Sequence, residues 1–322
     1  MLHIIREPIA SDLDAFQKHF RRSIKSKVPL LNVITAYLLK SKGKQMRPML
    51  VFLTALLTGR INDKTHRAAA LIELLHTATL VHDDVVDEAD KRRGFFSINA
   101  LWKNKAAVLV GDYLLSKGML IALENKDFDM LEIISGAVAK MSEGELLQME
   151  KARKLNIDEE TYMTIIKNKT ASLFSACCAC GAASARADEK TIKIMTAFGE
   201  NLGMAFQMKD DLFDYQKFNN TGKPHSNDIK EKKITLPIIY LLKNASGLEK
   251  RKYINIIKNH NTHPAKVELL LSKVYESGGI QYAENKMNDY AVKAMTLLNH
   301  FEDNDASKSL KKLIKFTIER NK

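Results

Sequence analysis

The chain is short of the residues that make tight turns and staple small folds. Fourteen glycines and six prolines in 322 residues are too few for a turn-rich β architecture, and the balance tilts toward helix. Three cysteines, Cys177, Cys178 and Cys180, build no disulfide framework, and their spacing misses the paired C-x-x-C of a zinc site. Set in the small-residue run "SACCACGAASA", they read as buried apolar side chains of a helix packed closely on a neighbour. A reducing, cytoplasmic setting follows. The opening "MLHIIREPIASDLD" carries charges where a secretion signal needs a continuous apolar stretch. No run of 18 strongly apolar residues is evident, so no membrane-spanning helix is expected.

Charge is one-sided: 50 Lys and Arg against 38 Asp and Glu, a net +12. Such an excess suggests nucleic acid or a membrane surface. Here, however, it is dispersed or terminal, in stretches such as "EKRKYINIIKNH" and "KKLIKFTIERNK" that read as solvated helix faces. No nucleic-acid module is recognisable, so no nucleic-acid partner is expected. A small polyanionic substrate would account for part of the excess.

Hydrophobic residues make up 45% of the chain, enough for a substantial core, and they recur mostly at helical spacing. "SDLDAFQKHFRRSI" opens on Ser11 as a cap and lines up Leu13, Phe16, Phe20 and Ile24 on one stripe. "THRAAALIELLHTATLVHDDVVDEAD" is apolar nearly all round, as a core helix is, until it ends in acids. Helical patterns continue to "KTIKIMTAFGENLGMAFQMKDDLFDYQKF", with no βαβ alternation and no hairpin signal. The polar stretch "NNTGKPHSNDIKEKK" interrupts two apolar helices but marks no composition break. The expectation is one all-α domain over residues 1–322, of on the order of a dozen helices.

One feature occurs twice. "VHDDVVDEA" and "MKDDLFDYQ" share Asp-Asp-x-x-Asp, and each closes a long apolar helix. Residues i and i+4 share a helix face, so Asp83 aligns with Asp87, and Asp210 with Asp214; Asp84 and Asp211 stand beside them, with Gln207 adjacent. At about 5 Å two carboxylates repel by roughly 3 kcal/mol at an effective dielectric near 20. A single exposed trio would be tolerable. The apolar spacers Val85, Val86, Leu212 and Phe213 imply instead that both helices are buried and that the acids face a shared cavity. Carboxylates plus water there suit a hard divalent cation, Mg2+ above all, and Mg2+ brings phosphate oxygens with it. Cationic residues fit the same picture: Arg92 and Arg93 beyond the first trio, Lys44 and Arg47 in "GKQMRP", Lys169 beside Thr170 in "KNKTASLF", and Lys223 and Lys233 in or just after the polar loop. "GKQMRP" is not a P-loop, lacking its spacing. His76 lies two turns before Asp83, so it is either a satisfied core histidine or a partner of the acidic face.

Taken together, "GKQMRP", "LVHDDVVDEADKRRG", "VGDYLL", "SEGELLQ", "KNKTASLF", "FQMKDDLFDY" and "GKPHSNDIKEKKITLP" resemble the trans-isoprenyl diphosphate synthases, or polyprenyl synthetases, in the family's order and over essentially the whole chain. The resemblance implies an isoprenoid-synthase helical bundle around a deep central cavity, a homodimer, and head-to-tail condensation of isopentenyl diphosphate with an allylic diphosphate. It further implies that Asp83, Asp84, Asp87, Asp210, Asp211 and Asp214 bind Mg2+ bridged to the allylic diphosphate, which Arg92, Lys169 and Lys223 hold while Lys233 helps close the site. Lys44, Arg47, His76 and Arg93 would grip isopentenyl diphosphate, and Thr170 and Gln207 would sit near the reacting carbons. No side-chain nucleophile is needed; membrane contact is at most peripheral, for product release. Two glycine positions of the family hold Ser226 and Lys232 here.

In this family the residues before the first acidic motif gate the growing chain. Here they are small: Ala78, carried over from the resemblance, and Thr79, which helical spacing itself places one turn before Asp83. "HTATLVHDD" resembles the long-chain, octaprenyl-type members, so a product longer than geranylgeranyl diphosphate is expected, with Met141, Val138 or Ile134 at the tunnel floor. A shorter-chain synthase, a terpene cyclase and a non-catalytic partner subunit are the competing readings. "GKQMRP" speaks against the cyclase and the two complete trios against the inert subunit.

Overall fold

The computed structural model describes residues 2–40, 43–92, 94–221 and 227–320; for Arg92, residues 216–221 and Asn227 it describes the backbone alone. The described residues form α1 (Leu2–Arg6), α2 (Ala10–Ser23), α3 (Pro29–Leu38), α4 (Met46–Thr58) and α5 (Asp63–Val86). A two-residue ribbon, β1 (Lys91–Arg92) with β2 (Phe95–Phe96), leads into α6 (Ile98–Glu124) and α7 (Phe128–Lys154). Then come α8 (Glu159–Ile166), one π-helical turn (Lys167–Ala171), α9 (Ser172–Ser184) and α10 (Glu189–Thr221). The chain closes with α11 (Asn227–Lys230), α12 (Leu236–Asn244), α13 (Gly247–Asn259), α14 (Pro264–Glu276), α15 (Gly279–Leu297) and α16 (Asp305–Glu319). The fold is all-α.

Local chemistry sets the boundaries. Asn62 opens α5 by accepting from the Lys64 and Thr65 amides, while the Thr65 hydroxyl accepts from the Asn62 amide, a reciprocal cap that satisfies orphan donors. The stripe Leu13, Phe16, Phe20 and Ile24 is buried as its spacing requires. Ser11 does not cap α2, which begins a residue earlier at Ala10 directly behind a 3-10 turn; the helix before it removes the free end that a cap would serve. The ribbon at "KRRGFF" is a second departure from expectation. Gly94 at φ +83° lets the chain reverse there, and two residues per strand are too few to give an alternating signal.

α9 is the hub, packed against α4, α5, α7 and α10. A Cβ on Gly181 would lie 2.5 Å from the Val51 carbonyl oxygen, so α9 and α4 meet backbone to backbone. All three cysteines are fully buried on α9, and burial pushes the Cys178 thiol up to about 12. One continuous apolar cluster runs from Ile5 on α1 to Ile314 on α16.

α6 holds an apolar window that the sequence reading passed over: by length and composition alone it is long enough to cross a membrane, and a third of that window is buried. One face packs on α5, while Leu109, Leu120 and Leu123 face outward.

Candidate active site

α5 carries the first acidic set to the rim of a cavity of about 530 Å3. Asp84 is the buried member, 4% exposed, and lines that cavity with His76, Thr77 and Leu80 from preceding turns of the same helix. Asp83 is half-buried; Asp87 caps the helix C-terminus and is exposed. Sequence spacing pairs Asp83 with Asp87, whereas the wall of this cavity is formed by Asp84, because α5 packs closely on α6 along its other side. The opposite wall comes from Lys44 and Arg47 at the start of α4, Phe174 of α9, Phe206 of α10, and Phe316 and Arg320 at the end of the chain. The Lys44 loop is held by its neighbours: Arg6 donates to the Lys44 carbonyl oxygen at 2.6 Å, Gln17 donates to Gln45 at 3.1 Å, and Gln45 turns the chain at φ +50°.

α10 supplies the second set. Asp210 accepts from Arg320 at 2.6 Å. Asp211 accepts from the buried Tyr162 hydroxyl at 2.7 Å and from the Gln207 amide at 2.8 Å, and Gln207 in turn accepts from the Thr170 hydroxyl at 2.6 Å. Asp214 accepts from the backbone amide of Asp228 at 3.0 Å. Together with Lys169, Lys232 and Lys233, Asp211, Asp228, Gln207 and Thr170 line a second cavity of about 120 Å3. Lys169 and Thr170 ride on the π-helical turn, a local widening of the helix frequent at functional sites. Gly144 of α7 lies so close beneath it that a Cβ there would sit 2.8 Å from the Lys169 amide nitrogen.

Burial raises Asp211 to about 6, with Asp210 and Asp214 adding to the effect while Tyr162 and Gln207 hold it back. Burial, Asp211 and Asp214 raise Asp228 to about 8. Burial likewise raises Asp210 despite Arg320 and Lys44. Burial works against the Lys233 ammonium, but Glu231, Asp228 and Asp87 outweigh it and raise its pKa. Lys233 therefore feels Asp87 of the first acidic set and also Asp228, the carboxylate that crowds Asp211 and Asp214 of the second. Crowded, all-oxygen donors that either take up protons or require cations fit a hard divalent ion. Among the described residues no three His, Cys, Asp or Glu side chains are grouped to hold a metal by protein atoms alone.

The remaining candidates are distributed as follows. Lys169 is ion-paired with Glu145 at 2.5 Å and bonded to Gln148 at 3.2 Å; Lys233 pairs with Glu231 at 2.5 Å. Arg92 sits in β1, while Arg93, Lys223 and Ser226 lie outside the described residues. Lys232, at a family glycine position, adopts φ +58°, the left-handed region where glycine is unstrained. Ala78 is buried in the core, and the half-buried Thr79 donates to the His76 carbonyl oxygen. Of the suggested floor residues on α7, Ile134 is buried, and Val138 and Met141 pack partly buried against the core. Sequence reading missed Arg320, Asp228 and Tyr162. Arg320 lay in a stretch read as a solvated face and Asp228 in a stretch read as a loop; Tyr162 is one apolar-face residue among many. Only the acid in "HSNDIKEKK" so close behind the second trio was a usable signal.

Residues 28–274 match the polyprenyl synthetase family model. The chain is 33% identical to the octaprenyl diphosphate synthase of Escherichia coli over 322 residues, covering 100% of this chain and 99% of that one. A decaprenyl diphosphate synthase structure from Rhodobacter capsulatus superimposes with a TM-score of 0.95 at 32% identity, covering 100% of both chains. A polyprenyl synthase from Caulobacter crescentus, complexed with calcium and isoprenyl diphosphate, gives 0.91 at 31% identity, covering 100% of this chain and 98% of that one. The chain belongs to the polyprenyl synthetase family. It is a prenyltransferase of the polyprenyl diphosphate synthase type.

Proposed function

We propose that the enzyme condenses isopentenyl diphosphate head-to-tail with an allylic diphosphate in a Mg2+-dependent ionisation, condensation and elimination. The product is a long-chain all-trans polyprenyl diphosphate of the octaprenyl class, of the kind used for quinone side chains. What carries this reading is the crowding of Asp211, Asp214 and Asp228, two of which line the smaller cavity, while Asp84 lies in the wall of the larger one, to which α10 contributes Phe206. The full-length likeness to an octaprenyl synthase supports the long product.

The chemistry explains the layout. Asp83, Asp84 and Asp87, with Asp210, Asp211 and Asp214, would hold Mg2+, which when bound neutralises the allylic diphosphate as its C–O bond breaks. Lys169 and Lys233, together with Arg92 and Lys223, hold that leaving group. Lys44, Arg47, His76 and Arg93 hold the isopentenyl diphosphate. The bonded pair Thr170 and Gln207 presents oxygen dipoles to the developing carbocation, and Phe174 and Phe206 keep water from quenching it. The isopentenyl double bond attacks the cation, and the departing pyrophosphate takes the proton.

The enzyme works as a single domain in a cytoplasmic homodimer. The outward Leu109, Leu120 and Leu123 of α6, with Phe128 and Met149 of α7, supply an apolar face suited to a second copy. Leu120→Glu should convert a dimer to monomers in light scattering; an unchanged mass would rule this face out. The activity is tested with farnesyl diphosphate, labelled isopentenyl diphosphate and Mg2+, followed by chromatographic sizing. Label in prenyl chains longer than geranylgeranyl supports the reading. Label confined to shorter chains rejects the long product, and no incorporation rejects the activity.

A further inference from the structure

Arg320, the C-cap just beyond α16, is held on several sides. Its Nη2 donates to Asp210 Oδ1 at 2.6 Å and to the Phe206 carbonyl oxygen at 3.2 Å, and its Nε donates to the Thr317 carbonyl oxygen at 3.3 Å. The guanidinium lies 4.0 Å from the Phe206 ring centre and 5.2 Å from that of Phe213. Its side chain is 7% exposed, and it lines the large cavity together with Lys44, Arg47 and His76.

Asp210 therefore has two claimants. As a member of the second acidic set it is a donor for a divalent cation, yet its charge is already matched by an arginine. Lys169 and Lys233 are also paired with carboxylates, but Glu145 and Glu231 belong to neither acidic set. A cation arriving at Asp210 places two positive charges on one partly buried carboxylate, and the like-charge repulsion favours release of the arginine. The guanidinium needs no path to the cavity, because it already forms part of the wall.

We infer that Asp210 and Arg320 are an exchange pair: a divalent cation taken up by Asp210 displaces the guanidinium, which turns into the large cavity and binds the diphosphate of the isopentenyl substrate. The inference rests on the prenyl-transfer reading above and adds to it a coupling between the two substrate sites. Metal with the allylic diphosphate primes the isopentenyl site, and by linkage the isopentenyl diphosphate tightens the metal. Ionisation of the allylic partner is thereby tied to the presence of the nucleophile that will capture the cation.

The test uses binding, by calorimetry and by Mn2+ paramagnetic resonance, with Mn2+ in place of Mg2+ and no turnover. Arg320→Met keeps a long apolar stem over Phe206 and removes the competing charge. The exchange predicts effects of opposite sign: Mn2+ alone binds at least about fivefold tighter, the low end of coupling between linked sites, while isopentenyl diphosphate binds more weakly once Mn2+ and a non-ionising allylic thiodiphosphate are present. Unchanged or weakened Mn2+ binding in a folded Arg320→Met protein overturns the inference. Asp210→Ala tests it independently by removing the acceptor that holds Arg320, without metal. Metal-free affinity for isopentenyl diphosphate should then rise at least about fivefold; no rise overturns the exchange. If the unaltered enzyme binds neither Mn2+ nor isopentenyl diphosphate, the prenyl-transfer reading itself falls, whereas normal binding of both that neither variant shifts defeats the exchange alone.

Discussion

Gly144→Ala is the smallest change that reaches the chemistry without touching a charged group. The added Cβ would lie 2.8 Å from the Lys169 amide nitrogen and 3.0 Å from the Asn168 Cβ, where ordinary contact begins at 3.4 Å. The nearest obstacle is backbone, so the π-helical turn that carries Lys169 and Thr170 must move by about 0.6 Å. Overpacking of this kind costs about 1–3 kcal/mol, or a melting temperature lower by several degrees in a chain of this size. Misplacing reactive groups by about 1 Å costs roughly 100-fold, so a kcat lower by about tenfold is the reasonable scale. On the proposed chemistry Lys169 would meet the departing diphosphate as charge develops, so kcat should fall more than KM rises. Steady-state kinetics with labelled isopentenyl diphosphate, run beside a melting curve, measures both. Gly247→Ala, at the exposed start of α13 with nothing within 4 Å of its Cβ, is the control and should change neither. A Gly144→Ala enzyme with unaltered kcat and KM would refute the claim that this turn positions the reaction.

Ala78→Tyr should shorten the product below the octaprenyl length, read by sizing the dephosphorylated prenols; because Ala78 is buried, a stability loss of about 1–3 kcal/mol should accompany it, and an unchanged product distribution would dismiss the gate. Metal removal should make stability fall with rising pH. Asp211 and Asp228 have native values near 6 and 8, above the ordinary value near 4, so each favours the native state while protonated and that contribution is lost as pH climbs through the native values. Melting temperatures in chelator should therefore drop from pH 5.5 to 8.5, and Mg2+ with pyrophosphate should flatten the profile; identical profiles would contradict the carboxylate crowding. Cys177, Cys178 and Cys180 should be silent to Ellman's reagent at pH 8 until guanidinium unfolds the chain, because burial raises all three thiols; rapid native labelling would show that α9 is not the packed hub described.

Much of this was legible before any coordinates. Helical periodicity marked α2, α5 and α10, because a stripe such as Leu13, Phe16, Phe20 and Ile24 is a local property of the chain. The repeated Asp-Asp-x-x-Asp marked the acids because i and i+4 are fixed by helix geometry. What escaped depended on long-range packing. Arg320 meets Asp210 across 110 residues, and nothing in "FTIERNK" distinguishes a buried arginine from a solvated one. Tyr162 and Asp228 acquire meaning only when α8 and α11 are brought beside α10. The prominence of Asp84 over Asp87 follows from how α5 rotates against α6, which a repeat of charges does not encode. The π-helical turn at Lys167–Ala171 has no propensity signature, and the close approach of α7 and α10 to its backbone at Gly144 and Gly203 is visible only in three dimensions.

The central claim is that acids of α5 and α10 coexist because divalent cations and a diphosphate stand between them. The most direct measurement is anomalous diffraction from crystals soaked with Mn2+ and an allylic thiodiphosphate. The account predicts Mn2+ peaks bounded by Asp83, Asp84 or Asp87 on one side and Asp210, Asp211 or Asp214 on the other, with the diphosphate bridging them. Manganese bound elsewhere, or a diphosphate seated away from both acidic sets, would contradict it.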